Sequence, residues 1–186
     1  KGVISLPGII EAENFDKGGE ESTFHDKDAL DQGGTNYRTD NEGMDIIATT
    51  DGGYAIGNTT PKEWMEYTVN VTDPGLYAYE ATVSSTVTGS TFYIQLVNKD
   101  GTLTNLCKVT IPNTKNKNTY KVVTGNLGAN LEAGEQILRF TINTALCNID
   151  KVELKCIQSN GIGAIMADPS SDNAPLYTPA GVQVDY

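Results

Sequence analysis

Few residues of this chain could carry out catalysis, and none lies in a recognisable catalytic motif. The single histidine, His25, is followed by Asp26, but adjacent residues of a strand point to opposite faces, so this carboxylate does not automatically orient the imidazole. The sequence contains no G-x-S-x-G motif, no H-E-x-x-H motif and no phosphate-binding glycine-rich loop. With 24 acidic residues, a carboxylate pair at glycosidase spacing arises by chance. The sequence predicts a non-enzyme, and a small hydrolase using two carboxylates is the catalytic alternative.

Two glutamates in the stretch IIEAENFD (9–16) are candidate ligands for a metal ion. In a strand, Glu11 and Glu13 would point to the same face, and their like charges would repel unless a cation lay between them. Calcium takes six to eight oxygen ligands, and Asp150 in the stretch NIDK is a further candidate ligand. The alternative is a solvated acidic edge.

The stretch QGGTNYRTD (32–40) places an aromatic residue behind two glycines. Adjacent glycines allow a sharp turn that can project the following residues. Tyr37 therefore either lies over an apolar patch or is held out to meet a flat ligand.

Composition and charge exclude several classes of function. The net charge of −11 would repel phosphate backbones and anionic lipid, so we expect no nucleic-acid binding. No apolar run approaches the length of a membrane span. Cys107, Cys147 and Cys156 allow one disulfide and a free thiol or three buried thiols, and their apolar neighbours favour buried thiols.

Short alternating segments bounded by turn residues predict strands. In EWMEYTVNV (63–71), for example, Met65, Tyr67, Val69 and Val71 fall on one face. Comparable segments are 76–85, 90–97, 102–111, 119–125, 136–143 and 148–157. With no helical signal between them, they predict an all-β fold, an antiparallel β-sandwich of jelly-roll type.

The composition of the sequence changes after residue 157. Residues 158–186 contain three prolines and many small polar residues, without a period that suits a core strand. We therefore expect a sandwich module over 1–157 and a linker or C-terminal extension over 158–186.

Five segments in sequence resemble family 6 carbohydrate-binding modules. They are LPGIIEAENFDKGGEESTFHD, GGTNYRTDNEGMDI, TTDGGYAIG, EWMEYTVNV and CNIDKVEL, and together they extend over about residues 4–157. The resemblance implies a non-catalytic β-sandwich, appended to a secreted glycoside hydrolase, that binds plant or algal polysaccharide.

The resemblance also implies roles for individual residues. Glu11, Glu13 and Asp150 would ligate a structural Ca²⁺. The sugar would lie in a cleft at the loop end of the sandwich, where Tyr37 is an aromatic wall. The other residues that the resemblance assigns to this cleft are Asn36, Asn148, and Glu20 or Glu21.

The chain departs from the family pattern at the second aromatic wall of this cleft. Lys117 stands where a tryptophan is expected, Tyr120 falls near a second aromatic position, and Asn58 occupies a place that is often aromatic. The predicted cleft is therefore one-sided and polar, with Lys117 able to bond hydroxyls or an acidic sugar. Binding on the concave sheet face and loss of the usual cleft are the alternatives.

The expected function is to target an attached hydrolase to polysaccharide, with xylan or β-glucan as the leading ligands. We expect an extracellular or cell-surface location and a monomer. The alternative is a structural or protein-interaction sandwich whose sugar site has decayed.

Overall fold

The computed structural model describes residues 2–28, 30–38 and 43–159 and two short strands near the end of the chain. In chain order the strands are β1 (Ile4–Leu6), β2 (Gly8–Glu11), β3 (Phe24–His25), β4 (Ile46–Ala48), β5 (Tyr54–Ile56), β6 (Trp64–Val71), β7 (Gly75–Ser84), β8 (Ser90–Val97), β9 (Leu103–Ile111), β10 (Lys121–Asn126), β11 (Gly134–Ile142), β12 (Asn148–Ser159), β13 (Leu176–Tyr177) and β14 (Gln183–Val184).

Strands β1 to β12 form two six-stranded sheets that pack face to face. The front sheet has the order β1-β6-β11-β8-β9, with β3 also paired to β6, and the back sheet has the order β10-β7-β12-β5-β4, with β2 paired to β12. The chain crosses between the sheets at most connections, and all the pairings except the parallel β1–β6 pair are antiparallel. The predicted β-sandwich is confirmed, and most of the predicted strands end within two residues of the observed bounds.

The core lies between the sheets and follows the two-residue alternation of the strands. Met65, Tyr67, Val69 and Val71 are all buried, as the sequence predicts for one face of β6. Their neighbours across β11 continue the same layer, and the rings of Tyr67 and Phe140 lie 4.6 Å apart. Aromatic contacts of this kind add about 0.5–1.5 kcal/mol to the free energy gained by burial.

Helix is nearly absent from the described residues. A single 3₁₀ turn, Ala12–Asn14, directly follows β2. Glu11 therefore ends a strand while Glu13 lies in the turn, so the expectation that both extend from one strand face is wrong. No helix in the part of the chain that the structure describes is long and apolar enough to cross a membrane.

The cysteines are free thiols. Cys147 is buried, and Cys107 and Cys156 are half-buried. Burial raises the pKa of Cys107 to about 11 and that of Cys147 to about 12, so both thiols stay protonated at neutral pH.

The predicted module boundary at residue 157 lies close to the end of β12, which continues to Ser159. Of the expected linker or extension, residues 160–175, 178–182 and 185–186 lie outside the described residues. Strands β13 and β14 within it pair antiparallel with each other.

The hydroxyl of Tyr67 links the core of the front sheet to the 3₁₀ turn. It donates a hydrogen bond to the carbonyl oxygen of Ala12 at 2.8 Å, and the side chain is fully buried. Burial, with the nearby carboxylates of Glu13 and Asp16, raises the pKa of Tyr67, which keeps the phenol protonated as a donor.

We predict that Tyr67→Phe lowers the free energy of unfolding by about 1–3 kcal/mol, because it leaves the buried Ala12 carbonyl without its partner. Urea denaturation followed by circular dichroism measures the change. Tyr93→Phe, which removes a hydroxyl from a half-exposed side chain, is the matched control and should change the stability by less than about 0.5 kcal/mol. Equal stability of the two variants would contradict a structural role for the Tyr67 hydroxyl.

Candidate functional site

The double glycine before Tyr37 is required by the backbone. A Cβ on Gly33 would lie 2.0 Å from the carbonyl oxygen of Ile46, and Gly34 has a φ of +72°. Both positions exclude ordinary side chains, for steric reasons at the first and conformational reasons at the second. After this turn, Arg38 donates a hydrogen bond to the Phe15 carbonyl oxygen at 2.6 Å and lies over the Phe15 ring. The segment that carries Tyr37 is thus fixed on both sides.

Tyr37 stacks on Tyr54 and remains partly open to solvent. The ring centroids are 4.2 Å apart with 37° between the planes, and the Tyr37 hydroxyl donates to Asn14 Oδ1 at 3.0 Å. Tyr37 is 38% exposed, and Asn36 beside it is exposed. Tyr37 therefore packs against an aromatic neighbour and still offers ring surface, which is consistent with a one-sided platform.

Asn148, predicted to bond sugar hydroxyls, is buried and bonded within the protein. Its Nδ2 donates to Ser84 Oγ and to the carbonyl oxygen of Lys117, both at 3.2 Å. These two bonds use the two hydrogens of the amide group. The side chain of Lys117 is exposed, whereas its carbonyl oxygen also accepts a bond from Ser84. Asn148 thus fixes the loop between β9 and β10.

Tyr120 is the last residue of the same loop and borders a small polar pocket of about 170 Å³. Burial, together with the Asp150 and Asp51 carboxylates, raises the pKa of Tyr120 to about 12. The phenol is therefore a hydrogen-bond donor at neutral pH. The pocket is lined by Thr49, Thr50, Asp51, Thr82, Asn118, Tyr120 and Asp150.

Glu20 and Glu21, predicted to accept from sugar hydroxyls, both contact His25. Glu20 Oε1 and Glu21 Oε1 approach the same nitrogen, His25 Nδ1, the second at 3.1 Å. Glu20 Oε2 also accepts a hydrogen bond from the backbone of Asp26 at 3.1 Å. No hydrogen bond or ring contact among the described residues joins this pair to Tyr37 or Asn148.

The predicted calcium ligands lie on neighbouring segments. Glu11 pairs with Lys151 across β2 and β12, next to Asp150. Burial raises the pKa of Asp150, and the Glu11 and Asp51 carboxylates raise it further, whereas Lys151 lowers it. Glu13 is 6% exposed in the 3₁₀ turn. The carboxylate donors are those that calcium prefers, but the three side chains do not form a group with all ligand atoms within 4.8 Å.

A set of buried carboxylates near β3 was missed by the sequence analysis. Asp26, Asp45 and Glu63 are each less than a tenth exposed. Burial, together with the Glu63 and Asp45 charges, raises the pKa of Asp26 to about 7. Backbone amides hold these groups, since Asp28 donates to Asp26 at 2.8 Å and Thr60 to Glu63 at 2.7 Å. The raised pKa therefore reflects burial within the fold.

An aromatic groove lies on the outer face of the front sheet. Trp64, Thr141 and Tyr93 are cross-strand partners on β6, β11 and β8, so they form one row across the sheet. The groove has a volume of about 390 Å³. Its lining residues are Pro61, Lys62, Trp64, Tyr93, Gln95, Leu103, Arg139, Thr141, Ile142 and Asn143.

Arg139 positions the tryptophan of this groove. Its guanidinium carbon lies 3.8 Å from the centroid of the Trp64 ring, and its Nε donates to Glu66 Oε1 at 2.9 Å. A second bond from Nη2 reaches the same oxygen. Because Glu66 neutralises Arg139, the groove offers aromatic surface and hydrogen-bonding groups without an unbalanced positive charge at its centre.

The groove residues could have been found in part from the sequence. In STFYIQLV (90–97), the alternation that buries Phe92 and Ile94 places Tyr93 and Gln95 on the other face. The cross-strand register that aligns Tyr93 with Trp64 has no comparable sequence signal, because it depends on the long-range pairing of β8 and β6 through β11.

Comparison with known proteins supports the resemblance. A family model described as "Carbohydrate binding module (family 6)" matches residues 35–156, more than half of the chain. No curated protein sequence matches the chain.

Several solved structures share the fold. A CBM6 module from Clostridium stercorarium in complex with cellobiose has 20% sequence identity and a TM-score of 0.62, with 83% of this chain and 98% of that chain covered. A β-1,3-glucan binding CBM6 from Bacillus halodurans has 20% identity and a TM-score of 0.60, and the match covers 83% of this chain and 100% of that chain. A family 6 module from Clostridium cellulolyticum in complex with xylose has 18% identity and a TM-score of 0.59, with coverages of 81% and 98%.

The ordered motifs, the two-sheet sandwich and the family match agree with one another. The chain belongs to family 6 of the carbohydrate-binding modules, a family of non-catalytic modules that bind carbohydrate.

Proposed function

We propose that this module binds a plant or algal polysaccharide, xylan or β-glucan, and holds an attached glycoside hydrolase on that substrate outside the cell. A module that binds without catalysis needs aromatic surface for the C–H faces of sugars and polar groups for their hydroxyls. It raises the local concentration of substrate around the enzyme to which it is attached.

The observation that carries this proposal is the groove on the front sheet. Trp64 and Tyr93 supply aromatic surface, and the polar side chains of Gln95, Thr141 and Asn143 lie between and beside them. Thr141 donates to Gln95, Gln95 to Asn105, and Asn143 to Thr91, so a sugar would use the hydrogen-bonding capacity that these internal bonds leave. Because Arg139 is paired with Glu66, the centre of the groove suits a neutral glycan, and Lys62 is the other cation among the lining residues. Similar modules were solved with cellobiose and with xylose, which are neutral sugars.

We assign the loop end a secondary part in binding. Tyr37 offers ring surface on one side, Lys117 stands where the family pattern has a tryptophan, and the amide hydrogens of Asn148 are bonded to the protein. A sugar there would meet one aromatic wall and would have to displace internal hydrogen bonds to reach the Asn148 amide.

We also propose that Glu11, Glu13 and Asp150 bind a structural calcium ion. Support comes from the chemistry of the donors, which are carboxylates on two adjacent strands and the turn between β2 and β3. The Glu11 carboxylate repels the Asp150 carboxylate and so raises the pKa of Asp150. A bound cation would remove this unfavourable repulsion.

We predict that Trp64→Ala weakens polysaccharide binding at least about tenfold, because it removes the larger aromatic surface of the groove. Tyr37→Ala should weaken binding less, by about threefold or below, since that ring offers only one side. Affinity electrophoresis in gels with xylans, β-glucans, agar and pectins identifies the ligand. Titration of that ligand, followed by the fluorescence of Trp64, the single tryptophan, then measures affinity for wild type and Tyr37→Ala. Retardation in gels with increasing concentrations of the same ligand measures affinity for Trp64→Ala, which lacks this fluorophore.

Further measurements distinguish the outcomes of this experiment. Tyr93→Ala should also weaken binding, and it leaves the Trp64–Arg139 contact in place if Trp64→Ala proves unstable. A large loss with Tyr37→Ala and none with Trp64→Ala would move the site to the loop end. No retardation in any gel would refute carbohydrate binding by this chain and favour a structural or protein-interaction role.

We predict that calcium raises the thermal midpoint of the module by roughly 5–10 °C at a concentration 100-fold above its Kd. Calcium at this concentration raises the free energy of unfolding by about 2.7 kcal/mol. For a domain of this size, each 1 kcal/mol raises the thermal midpoint by about 2–4 °C. Scanning fluorimetry after chelation and re-addition of calcium measures the shift.

The double variant Glu11→Gln/Glu13→Gln removes two charged ligands and should lose this response to calcium. Glu132→Gln, an exposed glutamate between β10 and β11, is the control and should keep it. If the wild-type midpoint does not move when calcium is removed and restored, the calcium assignment is wrong.

A further inference from the structure

Three side chains with metal-binding groups converge beside β3, outside the groove. The ligand atoms of Glu20, Glu21 and His25 all lie within 4.8 Å of one another. Among the described residues, no other group of three or more His, Cys, Asp or Glu side chains meets this distance criterion. The group contains the single histidine of the chain. The side chains of His25 and Glu20 are 26% and 35% exposed, so a cation can reach them from solvent.

A tight turn holds the two glutamates against the histidine. The amide of Glu21 donates to the Phe24 carbonyl oxygen at 2.7 Å, and the amides of Ser22 and Thr23 both donate to the Gly19 carbonyl oxygen at 3.1 Å. Glu21 has a φ of +61°, in the left-handed region. The backbone therefore brings Glu20 and Glu21 to the same side of β3, next to His25.

The imidazole of His25 cannot donate a separate hydrogen bond from Nδ1 to each of the two glutamates. Carboxylate oxygens of Glu20 and Glu21 both approach Nδ1, which carries one hydrogen at most. One N–H can serve one of the two oxygens well, and the two negative charges repel each other. A cation bound to the Nδ1 lone pair and to both carboxylates satisfies all three groups.

We propose that Glu20, Glu21 and His25 form a binding site for a divalent transition-metal cation of the zinc type. Zinc takes imidazole nitrogen and carboxylate oxygen in a tetrahedral arrangement, with ligand atoms about 3.3 Å apart. Glu21 Oε1 lies 3.1 Å from His25 Nδ1, close to that spacing. Glu20 Oε1 lies nearer to Nδ1 than two zinc ligands can, so the Glu20 side chain would have to move outward to admit the ion. Three protein ligands leave a fourth position for water.

The donor set separates this site from the proposed calcium site. Calcium and magnesium prefer oxygen ligands, and an imidazole nitrogen is a poor donor for either ion. Imidazole combined with carboxylate suits zinc and its neighbours in the first transition series. The two sites should therefore be distinguishable by which metal each one takes.

The metal site borders the carbohydrate groove. His25 pairs with Trp64 across β3 and β6, while the preceding pair, Phe24 with Met65, points into the core. His25 and Trp64 therefore share the outer face of the sheet. A cation bound by Glu20, Glu21 and His25 would tie the turn that carries the two glutamates to β3, the strand paired with β6 beside Trp64.

The single histidine allows a test on the unmodified protein. Tag-free wild-type chain with ¹⁵N-labelled histidine is treated with chelator, returned to millimolar calcium, and titrated with zinc chloride. We expect the His25 Nδ1 resonance to shift and to saturate at one zinc per chain, because the lone pair of that nitrogen becomes a metal ligand. Calcium alone should leave the resonance unchanged.

Variants then identify the carboxylate ligands. His25→Gln, Glu20→Gln and Glu21→Gln should each weaken zinc binding by about tenfold or more in calorimetry, since even partners behind the ligands of a zinc site change affinity by 10–100-fold. Glu132→Gln should bind zinc like the wild type, and thermal midpoints check that each variant is folded.

Two results would overturn the proposal. The first is a His25 resonance that does not respond to zinc, which would leave the cluster as a hydrogen-bonded surface turn. The second is zinc binding by folded His25→Gln that equals the wild type, which would place the metal elsewhere. Neither result bears on carbohydrate binding, which is measured without zinc.

Discussion

The packing of the front sheet against the back sheet is the constraint from which the binding surfaces follow. Burial of Met65, Tyr67 and Phe140 fixes the inward face of β6 and β11. Because side chains alternate along a strand, the residues between them must point outward. The row of Trp64, Thr141 and Tyr93 is thus the outer counterpart of the core row of Met65, Phe140 and Ile94. A shift of one residue in register would bury Trp64 and expose the core, so the groove and the stability of the sheet depend on the same pairing.

Electrostatics imposes the second constraint. The chain carries a net charge of −11, and several carboxylates lie close to one another or are buried, including Asp26, Asp45 and Glu63. Arg139 balances Glu66 on the front sheet, and backbone amides bond to Glu63 and Asp26. The cations that we propose beside β2 and β3 would relieve further repulsion among the acidic side chains at these two positions.

The fold could be predicted from the sequence more completely than the binding site. Alternation and turn residues are local signals, and they predict the main strands to within two residues because each strand is half buried. The position of Tyr37 also follows from local sequence, since Gly33 and Gly34 permit the turn before it. Its stacking partner Tyr54 could not be inferred in this way, because the contact joins two segments that are separate in sequence.

The roles of Glu20 and Glu21 show a different limit of sequence reasoning. Their acidity is compatible with accepting bonds from sugar hydroxyls, but the direction of their side chains depends on the turn that follows Gly19. That turn places Glu21 in the left-handed region and aims both carboxylates at His25. Residue type alone predicted the kind of chemistry available to them, whereas backbone geometry decided which group they contact.

Asn148 connects the changed loop to the proposed position of the binding site. It begins β12, and its amide group bonds to the carbonyl oxygen of Lys117, so the loop between β9 and β10 is held by its backbone instead of by an aromatic side chain packed over the cleft. Lys117 is then exposed and adds no ring opposite Tyr37. The groove of the front sheet does not depend on this loop, since its aromatic residues lie on β6 and β8. Side chains on paired strands are positioned more rigidly than those on loops. This difference in rigidity is the reason that we place the proposed sugar site in the strand-built groove and not at the loop end.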